Sequence, residues 1–295
     1  MPFASASPMG YSYSRSLPQR DRTQARELLF LVEKKSNVIS IGTSGFDYDD
    51  WRGFFYPADL AKRRFLEHYA MHFRAVELNF SYYRMPTARQ IESMVERTGG
   101  EVTFAVKAHR SMTHDRDAAN REHDAFAEAL APAREAGVLG AVLAQFPQSF
   151  HQTQENRLYL RRLADRIGPP FVAEFRRADW STHPILDWLS RTGVGYCCVD
   201  EPRIKGLMPP AAVATASPGY VRFHGRNAAK WYEHDQPHER YDYRYDRREL
   251  AEWIPRIREI EKGAGEVLVF FNNHFQAKAV DGAKALGQML AREAG

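Results

Sequence analysis

Apolar runs of strand length recur along this chain at residues 38–45 (VISIGTSG), 75–80 (AVELNF), 103–110 (TFAVKAHR), 141–146 (AVLAQF), 171–177 (FVAEFRR), 195–200 (GYCCVD), 219–225 (GYVRFHG) and 267–274 (VLVFFNNH). Most are separated by stretches whose apolar residues fall three and four apart, as in Leu250, Trp253, Ile254, Ile257 and Ile260, which predicts amphipathic helices. Helices are expected over 59–73, 120–136, 153–167 and 277–292. Thr87 with Gln90, and Asp246 with Glu249, read as capping boxes. Strands alternating with helices at this length predict an α/β fold, a single (β/α)8 or TIM barrel. Between residues 202 and 218 no amphipathic helix is evident, so the barrel should be irregular between its sixth and seventh strands.

The barrel is expected over residues 37–295, preceded by a helical extension at 21–36 that carries Leu28, Leu29, Leu31 and Val32. Residues 1–20 are polar and rich in Ser, Pro and Arg, which predicts a disordered tail. The chain has no apolar run of membrane-spanning length and no secretory core, so a cytoplasmic protein without a membrane partner is expected. Cys197 and Cys198 are too few for a disulfide framework and lack zinc-site spacing.

With 295 residues, 44% hydrophobic and 26% charged, the chain can bury one large core. Its net charge of +4 suggests a basic protein. Most of that excess sits near the start, where Arg15, Arg20, Arg22 and Arg26 face only Asp21. The barrel itself is near neutral, and overall charge is a poor argument for nucleic-acid binding.

Polar and ionisable residues gather toward the C-terminal ends of the strands: Glu77 and Asn79, Lys107, Gln145, Glu174 and Arg176, Asp200, Arg222 and His224, Asn272 and Asn273. In a (β/α)8 barrel that end carries the chemistry. Alternation puts Glu77 and Asn79 on one strand face, and a buried acid there needs a partner. Lys107 needs an anion or a cavity, or else a salt bridge to Glu77. Glu174 and Arg176 share a face and suit either a site or an internal salt bridge.

Beyond the strands, Tyr48 and Trp51 stand in an aromatic loop, which suits either a small core over the barrel mouth or a stacking wall for a ligand ring. Tyr83 and Arg84 follow the second strand, His114 the third, and Trp180 the fifth. The long segment 226–245, with Trp231, Tyr232, Tyr241, Tyr243 and Tyr245, reads as a lid or wall over a pocket.

The motifs GTSGFDYDDWRGFFYP, VELNFSYYRMP, FAVKAHRSMTH, LAQFPQSF, EFRRADW, VRFHGRN and FNNH resemble those of the YecE-like family, domain of unknown function 72, over roughly residues 38–290. The resemblance implies a barrel of this kind and an activity not established. Phe46 and Arg177 stand where the family pattern leads one to expect Trp and His.

Cations in excess of acids point to an anionic ligand bearing phosphate or carboxylate. The leading expectation is an enzyme using acid/base chemistry, with Glu77, Lys107, Glu174, Asp200 and His224 as catalytic candidates. Glu174 or Glu77 would act as acid or base and His224 as proton shuttle, while Arg176, Arg222 and Lys107 stabilise negative charge. Tyr48, Trp51, Asn79, Tyr83, Arg84, His114, Gln145, Arg176, Trp180, Arg222, Asn272 and Asn273 are the binding candidates. One alternative is a metal-dependent phosphoesterase or endonuclease using Glu77, Glu174, Asp200, His224 and His274. No metal ligand is assigned, because Arg and Lys interleaved with these acids would repel a dication. The other alternative is non-catalytic binding of single-stranded nucleic acid. Cofactor and oligomeric state are left unassigned.

Overall fold

The structure, a computed structural model, describes residues 39–236 and 239–293. The expected tail at 1–20 and helical extension at 21–36 lie outside the described residues. Strands β1 (Ile39–Ser44), β2 (Ala75–Leu78), β3 (Thr103–Lys107), β4 (Leu139–Gln145), β5 (Phe171–Glu174), β6 (Gly195–Asp200), β7 (Gly219–Phe223) and β8 (Val267–Phe271) form a closed parallel barrel in chain order. Pairing of β1 with β8, Ile41 beside Val269 and Thr43 beside Phe271, closes the ring. The predicted (β/α)8 class holds. Strands covered on both faces read as continuous apolar runs, and all five residues of β8, VLVFF, are buried.

The helices lie where the spacing places their apolar faces. Helix Gln154–Ile167 buries Leu160, Leu163, Ala164 and Ile167, and the Thr153 side chain caps it by accepting from the Asn156 N–H. Both expected capping boxes form reciprocally, at Thr87 with Gln90 and at Asp246 with Glu249. The helix expected over 120–136 is instead two, Asn120–Ala129 and Ala131–Glu135, because Pro132 has no N–H to carry the ladder through. The one expected over 59–73 narrows to Phe65–Ala70 after a 3-10 turn at Lys62–Arg64, while still burying Phe65, Leu66 and Tyr69. No helix separates β6 from β7, which is the expected irregularity. Among the described residues no helix is long and apolar enough to cross a membrane.

Strand parity decides what reaches the interior. On β7, Arg222 touches Glu77 of β2 and Glu174 of β5, contacts that can be made only across the barrel. Its neighbour Phe223 turns outward against Tyr245, Trp253 and Phe271. On β6 the inward side carries Cys197, and past the strand end Glu201, while Asp200 faces outward to the Trp253 N–H.

Candidate functional site

Two layers occupy the C-terminal mouth of the barrel. The inner layer is a buried charge network centred on Arg222, whose side chain is 2% exposed. Its Nη2 donates to Glu77 Oε1 at 2.7 Å and its Nη1 to Glu174 Oε2 at 2.5 Å. The Tyr220 hydroxyl donates to the other Glu77 oxygen at 2.7 Å. Ser44 Oγ and Asn272 Oδ1 each lie 3.3 Å from Arg222 Nη2. Arg176 extends the network, with Nη2 2.9 Å from Glu174 and Nη1 3.1 Å from Glu201. The second Glu201 oxygen accepts from the Met208 N–H. Two guanidinium groups thus bridge three carboxylates that a barrel interior could not otherwise hold.

The protonation states follow from this packing. Burial by itself would raise the Glu174 carboxyl, but Arg222, Arg176 and His224 outweigh it and hold it well below the usual carboxylate range. Burial pushes Glu201 upward, with Arg176 pulling the other way. His224 is fully buried, and burial lowers it to about 3, against the weaker pull of Glu174. Its ring is therefore neutral at pH 7. Nδ1 lies 3.1 Å from the Asn272 amide nitrogen, and Nε2 lies 3.2 Å from Glu174 Oε1 without forming an aligned hydrogen bond.

The outer layer is a cavity of about 450 Å³. Strand ends and first turns supply Tyr82, Tyr83, Lys107, His114, Gln145 and Arg176, and the 226–245 segment supplies Trp231, Tyr232, Arg240 and Tyr241. The charged side chains lining it are all basic. Arg176 is already matched by Glu174 and Glu201. Lys107 and Arg240 have no carboxylate partner among the described residues. Lys107 Nζ donates to Gln145 Oε1 at 2.9 Å and sits 4.5 Å from the centre of the Tyr82 ring. Arg240 lies over the Trp231 ring, and its buried Nε meets no hydrogen-bond partner. Burial and then Arg222 lower Lys107 to about 8. Burial and then Lys107 lower His114 to about 4.

Of the candidates, Tyr83, Lys107, His114, Gln145 and Arg176 line the cavity, while Glu77, Glu174, Arg222, His224 and Asn272 build the network beside it. The anticipated Glu174–Arg176 bridge is present; a Lys107–Glu77 bridge is not, because Arg222 takes Glu77.

Seven placements need correction. Asp200 points out of the barrel, held by Arg226 and by the Trp253 indole at 2.9 Å, so it is an anchor for the segment after β7. Trp51 is fully buried, stacks on Tyr56 and donates to the His274 carbonyl, which makes it part of the small aromatic core. Trp180 is likewise buried between Phe150 and Phe175, its N–H on the Phe150 carbonyl. Arg84 is exposed beyond the helical turn Phe80–Tyr83. Asn273 faces the Tyr243 carbonyl, because parity sends Asn272 inward and its neighbour outward. Tyr48 stacks on His274 at 4.5 Å outside the cavity lining. Asn79, half-buried beyond β2, is also outside that lining, with its Oδ1 unpartnered.

Glu201, Tyr220, Ser44 and Arg240 were missed. Parity with Cys197 would have found Glu201, and parity with Arg222 would have found Tyr220. No local signal marks Arg240. Among the described residues no group of three His, Cys, Asp or Glu side chains is placed to hold a metal ion. Between Glu77 and Glu174, where a cation would bridge, sits Arg222.

Comparison with known proteins places this architecture among relatives. A family model described as "Protein of unknown function DUF72" matches residues 40–295. The UPF0759 protein YunF of Bacillus subtilis is 34% identical over 271 residues, covering 86% of this chain and 95% of that protein. A crystal structure of a DUF72 family protein from Thermotoga maritima is similar with TM-score 0.79 and 34% identity, over 86% of this chain and 100% of that one. One from Enterococcus faecalis gives 0.76 and 27%, over 86% and 95%.

Proposed function

The chain belongs to the DUF72 family, and we propose that it is an enzyme acting on a small substrate that carries phosphate or carboxylate. The observation that carries this reading is the lining of the cavity: Lys107 and Arg240 face it with no carboxylate partner among the described residues, beside Arg176 and with no acid in the lining. Half-buried cations without a carboxylate partner favour an anion that desolvates with them, and guanidinium forks suit phosphate and carboxylate oxygens. Proton transfer falls to groups that reach the cavity, with Lys107 as acceptor and His114 as a neutral partner. Glu77, Glu174 and His224 serve as its rigid electrostatic floor, positioned by Arg222.

The test is a thermal-shift screen of phosphorylated sugars, nucleotides and small carboxylates at low ionic strength. At least one class should raise the melting temperature of the wild type, with a smaller shift in Arg240→Ala. A flat panel contradicts the reading. A second reading, binding of a single-stranded nucleic-acid end, draws on Tyr83 and Tyr232 at the rim, 77% and 61% exposed and free to stack on bases. It requires a salt-sensitive gel shift that Tyr83→Ala and Tyr232→Ala weaken, and loses its basis if short oligonucleotides do not bind at low salt.

A further inference from the structure

We propose that Lys107 bonds covalently to the substrate, forming an imine with the carbonyl carbon of an anionic oxo compound, either a 2-oxo acid or a phosphorylated aldehyde or ketone. This deepens the anionic-substrate reading and rests on it. An amine attacks a carbonyl when it can readily shed its proton, is reachable and lies beside a site that holds the rest of the molecule, and Lys107, lowered to about 8 and lining the cavity with Arg176 and Arg240, meets all three conditions.

Its surroundings come from five strands. Glu77 lies on β2, with Tyr82 in the turn after it, His114 after β3, Gln145 on β4, Glu174 and Arg176 at β5 and Arg222 on β7. Both carboxylates are matched by Arg222, and Glu174 also by Arg176. Lys107 therefore sits near two guanidinium groups, with a neutral amide as its hydrogen-bond partner. A desolvated lysine next to cations is the arrangement that lowers an amine toward neutrality and activates it as a nucleophile. Arg176 and Arg240 line the same cavity and can hold the substrate's anionic group while the amine reaches its carbonyl.

The step balances without a redox partner. Nζ adds to the carbonyl carbon, both amine hydrogens leave with the carbonyl oxygen as water, and a C=N bond replaces C=O. One proton from solvent makes the iminium, which then draws electrons from the neighbouring carbon.

The experiment traps this bond. Full-length protein is incubated with pyruvate or with glyceraldehyde 3-phosphate and cyanoborohydride, then mapped by mass spectrometry, with inorganic phosphate as competitor and melting temperatures recorded in parallel. The expected product is a single adduct on Lys107, heavier by the carbonyl compound less one oxygen atom, suppressed by phosphate and absent in Lys107→Arg. Adducts confined to surface lysines, or none, while the anions still raise the melting temperature, overturn the imine and leave the anion cavity standing. Failure of both adduct and melting shift overturns both readings. A Lys107 adduct indifferent to phosphate contradicts the anion site on which the proposal depends.

Discussion

Arg222 and Glu174, 48 residues apart in sequence, meet at 2.5 Å inside the barrel with almost no exposure to water. The same guanidinium holds Glu77 at 2.7 Å, so one side chain pairs with acids from two other strands. Arg222→Leu leaves two buried carboxylates short of their partner, which should cost about 3–5 kcal/mol. Arg222→Lys keeps the charge but loses the fork and should cost less. Urea denaturation measures both, and a loss under about 1 kcal/mol for Arg222→Leu would show that the network is not what holds these acids.

His224 gives the protein an acid-sensitive stability. Its folded value of about 3 lies below the ordinary 6.5, so between those limits the unfolded chain binds a proton that the folded chain does not. Stability should therefore fall as the pH drops below about 6.5, with His224 contributing on the order of 2 kcal/mol of the loss at pH 5. His224→Asn should flatten the slope between pH 7 and 5, as followed by denaturation at each pH. Equal slopes in the two proteins would contradict a buried neutral imidazole.

Lys107 should show its lowered value in reactivity. Amine acylation needs the unprotonated form, so modification of Lys107 followed by mass spectrometry should rise with pH about a midpoint near 8. A midpoint at the ordinary lysine value of 10.5 would mean the amine is hydrated and charged.

Asp200 and Arg240 should separate structure from binding. Asp200→Asn weakens the hold on Arg226 and Trp253, lowering stability by about 1–3 kcal/mol while leaving ligand affinity unchanged. Arg240→Ala should do the reverse, weakening anion binding by roughly tenfold to a hundredfold with little change in melting temperature. Calorimetry on both variants checks this. Reduced affinity in Asp200→Asn without a stability loss would return that carboxylate to the site.

Much of this could be read from the chain because strand and helix periods differ and each is local. VELNF and GYVRFHG announce buried strands carrying charge, and alternation alone pairs Glu77 with the interior. Glu201 escaped because β6 was read as stopping at Asp200, one residue before the inward position. Asp200 and Trp180 were misjudged for a related reason: an acid or an indole near a strand end suits the mouth equally well from outside, and only the distant Trp253 and Phe150 settle which way each faces. The partners of Arg222 lie on β2 and β5, contacts that closure of the barrel creates and no spacing encodes. Arg240 is the extreme case, placed by a long connection whose aromatics signalled a wall but not which cation it would bring.

The most direct measurement is a crystal structure of the protein grown with an anomalously scattering oxyanion such as selenate. The anion should appear in the cavity within hydrogen-bond distance of Lys107 and Arg240, with Arg222 still bound to Glu77 and Glu174. A cavity holding only water, with the anion distributed over surface arginines, would contradict the account.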